Sequence, residues 1–182
     1  MFRIVDRLLL SQIYINLYNE TSINMSRLEL HYIDKDTFKD LVNLKSIDLS
    51  LNQLKQIHRA TFNGLFNLED VRLDGNKLEA IEIGLFNALF KLKKINLNEN
   101  KLESIDSGVF IRLVELQEIS LENNLIQSIH KETFKDLFKL KKINLSSNKL
   151  EIIDKETFSH LFNLTEINLS NNQLKTTANF CH

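Results

Sequence analysis

One interval governs this chain. Asn52, Asn76, Asn100, Asn124, Asn148 and Asn172 stand 24 residues apart without exception. The same step separates Leu44, Leu68, Leu92, Leu116, Leu140 and Leu164, and again the leucines from Leu49 to Leu169. Phenylalanines repeat in phase from Phe38 to Phe158, and a further leucine column runs from Leu41 to Leu161. No insertion disturbs the phase between Phe38 and Leu174. A unit this short cannot enclose a core of its own, so the units must stack and share one.

Within one unit the order is Leu44-x-x-Ile47-x-Leu49-x-x-Asn52-x-Leu54-x-x-Ile57, followed by Phe62 and Leu65. The alternation at Ile47 and Leu49 has the period of a strand with one buried face. It leaves Lys45, Ser46, Asp48 and Ser50 pointing outward. Asn52 falls where the chain turns inward. Its amide carries donors and an acceptor, so it can satisfy turn backbone groups that would otherwise be buried unpaired.

With this pattern the chain resembles the 24-residue "typical" subclass of leucine-rich-repeat proteins. That subclass includes Toll-type receptor ectodomains, Slit-like guidance proteins, small proteoglycans and lamprey variable lymphocyte receptors. The resemblance covers about three quarters of the chain. It implies a repeat solenoid, an α/β-type superhelix shaped as a right-handed curved horseshoe. A parallel sheet would line its concave face, with turns or short 3₁₀ segments on its convex face. The family often has proline after the position of Ile57. Here that column reads Asp34, His58, Glu82, Asp106, His130, Asp154.

The expected organisation is a single solenoid domain, with degenerate N-terminal repeats or a cap over 1–43 and regular repeats over 44–182, the last incomplete. Ile23, Met25, Leu30, Ile33, Phe38 and Leu41 keep the phase, although Leu28 stands at the asparagine position. Tyr14 and Leu17 fall on the phenylalanine and leucine columns. The basic and apolar start resembles a secretory signal, but Asp6, Ser11 and Gln12 interrupt it and no small-residue cleavage site follows. A degenerate first repeat is the better reading. At the other end Thr177 takes the isoleucine position, and the chain reaches His182 where a phenylalanine belongs. Cysteine-rich caps, usual in the subclass, are absent. An uncapped apolar C-terminal end is therefore expected, open to association or belonging to a longer protein.

Chemistry is scarce. Formal net charge is -1, so no global field recruits nucleic acid. No apolar run is long enough for a membrane span. Cys181 is the only cysteine, which excludes an intrachain disulfide and a cysteine-based metal site. His31, His58, His130, His160 and His182 form no metal-binding pair, and no phosphate loop or nucleophile–base arrangement is present. Neither catalysis nor a cofactor is expected.

Four features can carry function. By family resemblance the first is the concave face, where Arg72, Asp74, Lys94, Asn96, Asn98, Glu118, Ser120, Glu122, Lys142 and Asn144 point outward from the central repeats. Basic pairs there alternate with acidic ones, so adjacent strands neutralise each other and a self-paired structural face competes with a binding one. The second is a supplementary column, Phe66, Phe90, Phe138 and Phe162 with Val42 and Val114, read either as packing between turns or as an exposed ridge for a partner or another copy. The third is His58 and His130, each between carboxylate positions that favour a charged imidazole; weakly paired surface side chains are the plainer reading. The fourth is the set of N-x-S/T sequons at Asn19, Asn24 and Asn163, with Asn144 and Asn168 on the concave face. The sequence thus reads as a protein–protein interaction module. By resemblance it is the ligand-recognition part of a cell-surface or secreted protein, extracellular and receptor-like. The alternatives are a cytoplasmic scaffold or adaptor and a structural spacer in a larger chain.

Overall fold

The computed structural model describes residues 3–175. Its elements in chain order are β1 (Arg3–Val5), α1 (Arg7–Ile13), a 3₁₀ turn (Leu17–Asn19), β2 (Ser22–Asn24), β3 (Leu30–Ile33) and β4 (Ser46–Asp48). They continue as β5 (Asp70–Arg72), β6 (Lys94–Asn96), β7 (Glu118–Ser120), β8 (Ser128–Ile129), β9 (Lys142–Asn144), β10 (Ile152–Ile153) and β11 (Glu166–Asn168). Strands β2, β4, β5, β6, β7, β9 and β11 form one seven-stranded parallel sheet in that order. Register follows the repeat: Ile47 pairs with Val71, Val71 with Ile95, and Ile95 with Ile119. The result is a curved parallel-strand solenoid of about seven turns.

The inner turns bury the same positions. Ile47, Leu49, Leu54, Phe62, Leu65 and Leu68 are inaccessible, as are their counterparts up to the last described turn, where Phe158, Leu164, Leu169 and Leu174 are only partly buried and Ile167 is exposed. The phenylalanine column from Phe38 to Phe158 is a continuous stack of rings, with neighbouring centroids 5.9 to 6.4 Å apart. Between Ile57 and Leu68 the backbone turns tightly: Thr61 donates to His58, Asn63 to Ala60, Leu65 to Phe62 and Leu68 to Leu65. These i to i−3 bonds close successive tight turns where a helix would be too long.

The asparagines hold one turn to the next. Asn76 Nδ2 donates to Leu73 O and Asp74 O in its own turn and to Leu49 O in the preceding one. Its Oδ1 accepts from Leu54 N at 3.1 Å. Asn100, Asn124 and Asn148 repeat the set. Where Leu28 interrupts the column, Asn52 Oδ1 accepts from both Leu28 N and Leu30 N.

Two expectations are corrected. Tyr14 does not occupy the phenylalanine column. Strand β1 pairs with β3 so that Val5 lies beside Ile33, 28 residues later instead of 24, because α1 lengthens the first turn. Leu10 is fully buried there, and Tyr14 is left half-buried, its hydroxyl accepting from Asn24 N and donating to Asn24 O. Ser50 is also not outward-facing: both it and Ser146 are buried, since the strand ends two residues earlier and the turn folds over them. Leu17 is buried as its column requires. The expectations for Thr177, Cys181 and His182, and for the end they form, lie outside the described residues.

Candidate interaction surfaces

Every concave side chain is placed by the parallel register, which sets equivalent residues of neighbouring turns side by side. Opposite charges therefore meet across strands. Lys94 pairs with Glu118 at 3.1 Å, Lys142 with Glu166 at 2.8 Å, and Lys93 with Glu69 at 2.6 Å. Arg72 lies between Asp48 at 3.6 Å and Asp74 at 3.2 Å. Of the named concave residues, Arg72, Lys94 and Lys142 are exposed, and the others are partly covered by neighbours. Asn96 Oδ1 accepts from Asn98 N, Asn98 Oδ1 from Glu122 N, and Asn144 Nδ2 donates to Glu122 Oε2. Ser120 lines a shallow depression with Asp70, Arg72, Lys94, Asn96 and Glu118.

This pairing shifts the groups in opposite senses. The hydrogen bond and charge of Lys93 hold the Glu69 carboxyl below its usual range. Burial raises the Asp70 carboxyl, against the pull of Lys94 and Arg72. Arg72 is held more firmly charged by its hydrogen bond to Asp74, and Lys142 by its bond to Glu166.

The supplementary apolar column is exposed. Val42, Phe66, Phe90, Val114, Phe138 and Phe162 are between 46% and 81% accessible, so packing between turns hides only part of each. The sequence reading missed one member. Tyr18 stands 24 residues before Val42 and is 62% exposed. Its carbonyl accepts from Asn43 Nδ2, as the carbonyl of Val42 accepts from Asn67 and that of Phe138 from Asn163. Extending the column by one period would have found it. The guanidinium of Arg7 lies over the Tyr18 ring, 4.9 Å from its centroid.

His58 and His130 have a turn-building role that the sequence reading did not foresee. His58 Nδ1 accepts from Ala60 N and His130 Nδ1 from Glu132 N, as Asp34, Asp106 and Asp154 accept from the residue two further on. Each imidazole thus stands in for a turn-forming carboxylate. Among the sequons, Asn19 and Asn24 are exposed; Asn24 Oδ1 accepts from Ser26, and Asn163 Nδ2 is engaged by Phe138 O. Among the described residues no group of three histidine, cysteine or acidic side chains could hold a metal ion. No described helix is long and apolar enough to cross a membrane.

Stacked turns sharing one core, with polar ladders on the concave sheet and an apolar stripe at the side, define a repeat solenoid. The leucine rich repeat profile matches residues 114–174, and that of the BspA type leucine rich repeat region, six copies, matches residues 11–127. The chain belongs to the leucine-rich-repeat family. Among solved structures it is similar to the Toll-like receptor TLR13 in complex with ssRNA13, at 30% identity and a TM-score of 0.87, covering 96% of this chain and 24% of that one. It is also similar in fold to Toll from the Toll–Spatzle complex of Drosophila, at 21% identity and a TM-score of 0.64, covering 86% of this chain and 27% of that one. The chain therefore spans about a quarter of either relative. Comparison with curated protein sequences finds no match.

Proposed function

We propose that this solenoid is a protein-interaction module, the ligand-recognition part of a cell-surface or secreted leucine-rich-repeat protein, and not an enzyme. The observation that carries the reading is the concave sheet, where every strand presents outward polar side chains in strict register. The proposed contact residues are Arg72, Asp74, Lys94, Asn96, Asn98, Glu118, Ser120, Glu122, Lys142 and Asn144.

The TLR13 structure holds single-stranded RNA and the Toll structure holds Spatzle. For this chain a protein is the better partner. Lys93, Lys94, Lys142 and Arg72 of the concave face are matched by Glu69, Glu118, Glu166, Asp48 and Asp74, which neutralises most of its positive charge and disfavours a phosphate track.

Chemical cross-linking of the chain on intact cells and in conditioned medium, with mapping of the linked peptides, tests this reading. Links from Lys94 and Lys142 to a second protein, lost in the Arg72→Glu variant, are expected. Links confined to other faces, or salt-sensitive binding of single-stranded RNA by fluorescence anisotropy, would replace it. The same self-pairing also suits a structural spacer, which would yield no specific links at all. Secretion of the chain with a glycosidase-sensitive gel shift, removed by Asn19→Gln and Asn24→Gln, is the expected sign of the extracellular assignment.

A further inference from the structure

We infer that the apolar stripe of Tyr18, Val42, Phe66, Phe90, Val114, Phe138 and Phe162 is a self-association surface, occupied by the same stripe of a second copy. Independent of the concave face, the inference begins with size. Half-exposed phenylalanines, at 47% to 55% for Phe66, Phe90 and Phe138, leave roughly 100 Å² of ring each in water. Seven such side chains in line offer roughly 600 Å² per copy, at the upper limit of what monomeric proteins tolerate. It also approaches the roughly 800 Å² each partner contributes to a standard interface. Where Val114 makes the stripe narrower, the exposed Ile111 in the same turn widens it again.

Charge decides between a second copy and an unrelated partner. In each turn the stripe residue is bracketed by two outward positions, one toward the convex side and one toward the sheet. Around Val114 these are Arg112 and Glu115; around Phe138 they are Asp136 and Lys139. The signs within each pair are opposite, and their order reverses from one turn to the next. Glu115 and Lys139 bind each other at 2.6 Å, whereas Arg112 and Asp136 make no ion pair among the described residues.

A two-fold axis running along the stripe sets turn against identical turn and swaps the two flanks. Glu115 then faces the second copy's Arg112, and Lys139 faces the second copy's Asp136, each twice by symmetry. The remaining turns oppose Asn19 to Asn16, Asn43 to Asp40, Asn67 to Gly64, Lys91 to Ala88 and Asn163 to His160, with no like charges. An axis across the stripe at Phe90 would instead bring Lys91 onto itself and Asp40 toward Asp136. An axis across the stripe between Val114 and Phe138 meets the charges as well, setting Arg112 against the second copy's Asp136 and Glu115 against its Lys139. The two placements share charge complementarity and differ in whether Val114 meets Val114 or Phe138.

Sedimentation velocity of the whole chain across a hundred-fold concentration range tests this. A concentration-dependent dimer is expected, with the dissociation constant raised at least tenfold by Phe90→Ser with Phe138→Ser. Because those changes can also disturb folding, Arg112→Glu provides a surface variant: it should weaken the dimer, and reversing the charge it faces should restore it, Glu115→Arg for the axis along the stripe and Asp136→Arg for the axis across it. In a Cys181→Ser background, oxidation should yield a disulfide-linked dimer of Val114→Cys for the axis along the stripe, or of Val114→Cys with Phe138→Cys for the axis across it. A chain that stays monomeric throughout, leaving the stripe to a different protein, overturns the inference. So does a dimer indifferent to both the phenylalanine and the Arg112 variants, or one in which neither cysteine variant cross-links.

Discussion

Asn100 Nδ2 lies 3.0 Å from the carbonyl oxygen of Leu73, 27 residues earlier in the chain, and donates to it across the boundary between two turns. The same amide donates to Leu97 O and Asn98 O, and its Oδ1 accepts from Leu78 N. One side chain thus closes its own turn and fastens it to its neighbour. Asparagine suits the position because the site needs donors and an acceptor on one short, uncharged stem.

Asn100→Ala is therefore expected to destabilise as much as a core truncation, about 3 kcal/mol or more, since several buried groups lose partners at about 1–3 kcal/mol each. Asn100→Asp should do no better, because a carboxylate facing three carbonyl oxygens cannot donate to them. Urea unfolding midpoints decide this. A loss below about 1 kcal/mol for Asn100→Ala would mean that water replaces the amide.

Two glycines offer a contrast in cause. Gly64 has φ +83 and open space around a would-be Cβ, so Gly64→Ala should cost about 1 kcal/mol from backbone conformation alone. At Gly75, φ is +65 and a Cβ would meet the Leu51 Cδ2 atom at 2.6 Å. Gly75→Ala should therefore cost more than Gly64→Ala in the same unfolding assay, and Leu51→Ala should reduce the difference.

The legible part of this fold was whatever the period repeats. Ile47, Leu49, Asn52, Phe62 and Leu65 were assigned inward from spacing alone, and all are buried. Spacing failed where a turn departs from its own length. The extra residues absorbed by α1 put Leu10 where Tyr14 was expected, and a period count cannot see an insertion among degenerate repeats. Ser50 was misread for a different reason: alternation was carried past the end of a three-residue strand. The concave charge pairs were legible because parallel register converts the repeat directly into adjacency. How exposed Phe66 and Phe90 are was not, since a pattern gives the column but not the width of the gap between turns.

His130 tests whether a turn reads hydrogen bonding or charge. Its Nδ1 accepts from Glu132 N at 3.2 Å, and one turn earlier Asp106 Oδ1 accepts from Gly108 N at 2.9 Å. His130→Asp should keep native stability, because the acceptor survives. His130→Ala should lose about 1 kcal/mol, the net worth of one such bond. Equal loss in both variants would assign the role to the imidazole ring.

Adjacent carboxylates at the start of β5, Glu69 just before it and Asp70 its first residue, should respond to acid in opposite directions. Glu69, depressed by Lys93, favours the folded state above its unfolded value near 4.5, and that contribution disappears as pH falls through its lower folded value. Asp70, raised by burial above 3.8, opposes folding wherever it is ionised, and protonation relieves the cost as pH falls toward its folded value. Glu69→Gln should thus be less stable than the parent at pH 7 and approach it in acid. Asp70→Asn should be more stable at pH 7, its advantage shrinking as the parent's Asp70 takes up its proton. Thermal unfolding of the three proteins from pH 7 to about pH 2, below the depressed range of Glu69, gives the comparison. If Asp70→Asn is instead destabilised at neutral pH, attraction to Lys94 and Arg72 outweighs burial, and the depression around Ser120 is a well-solvated surface.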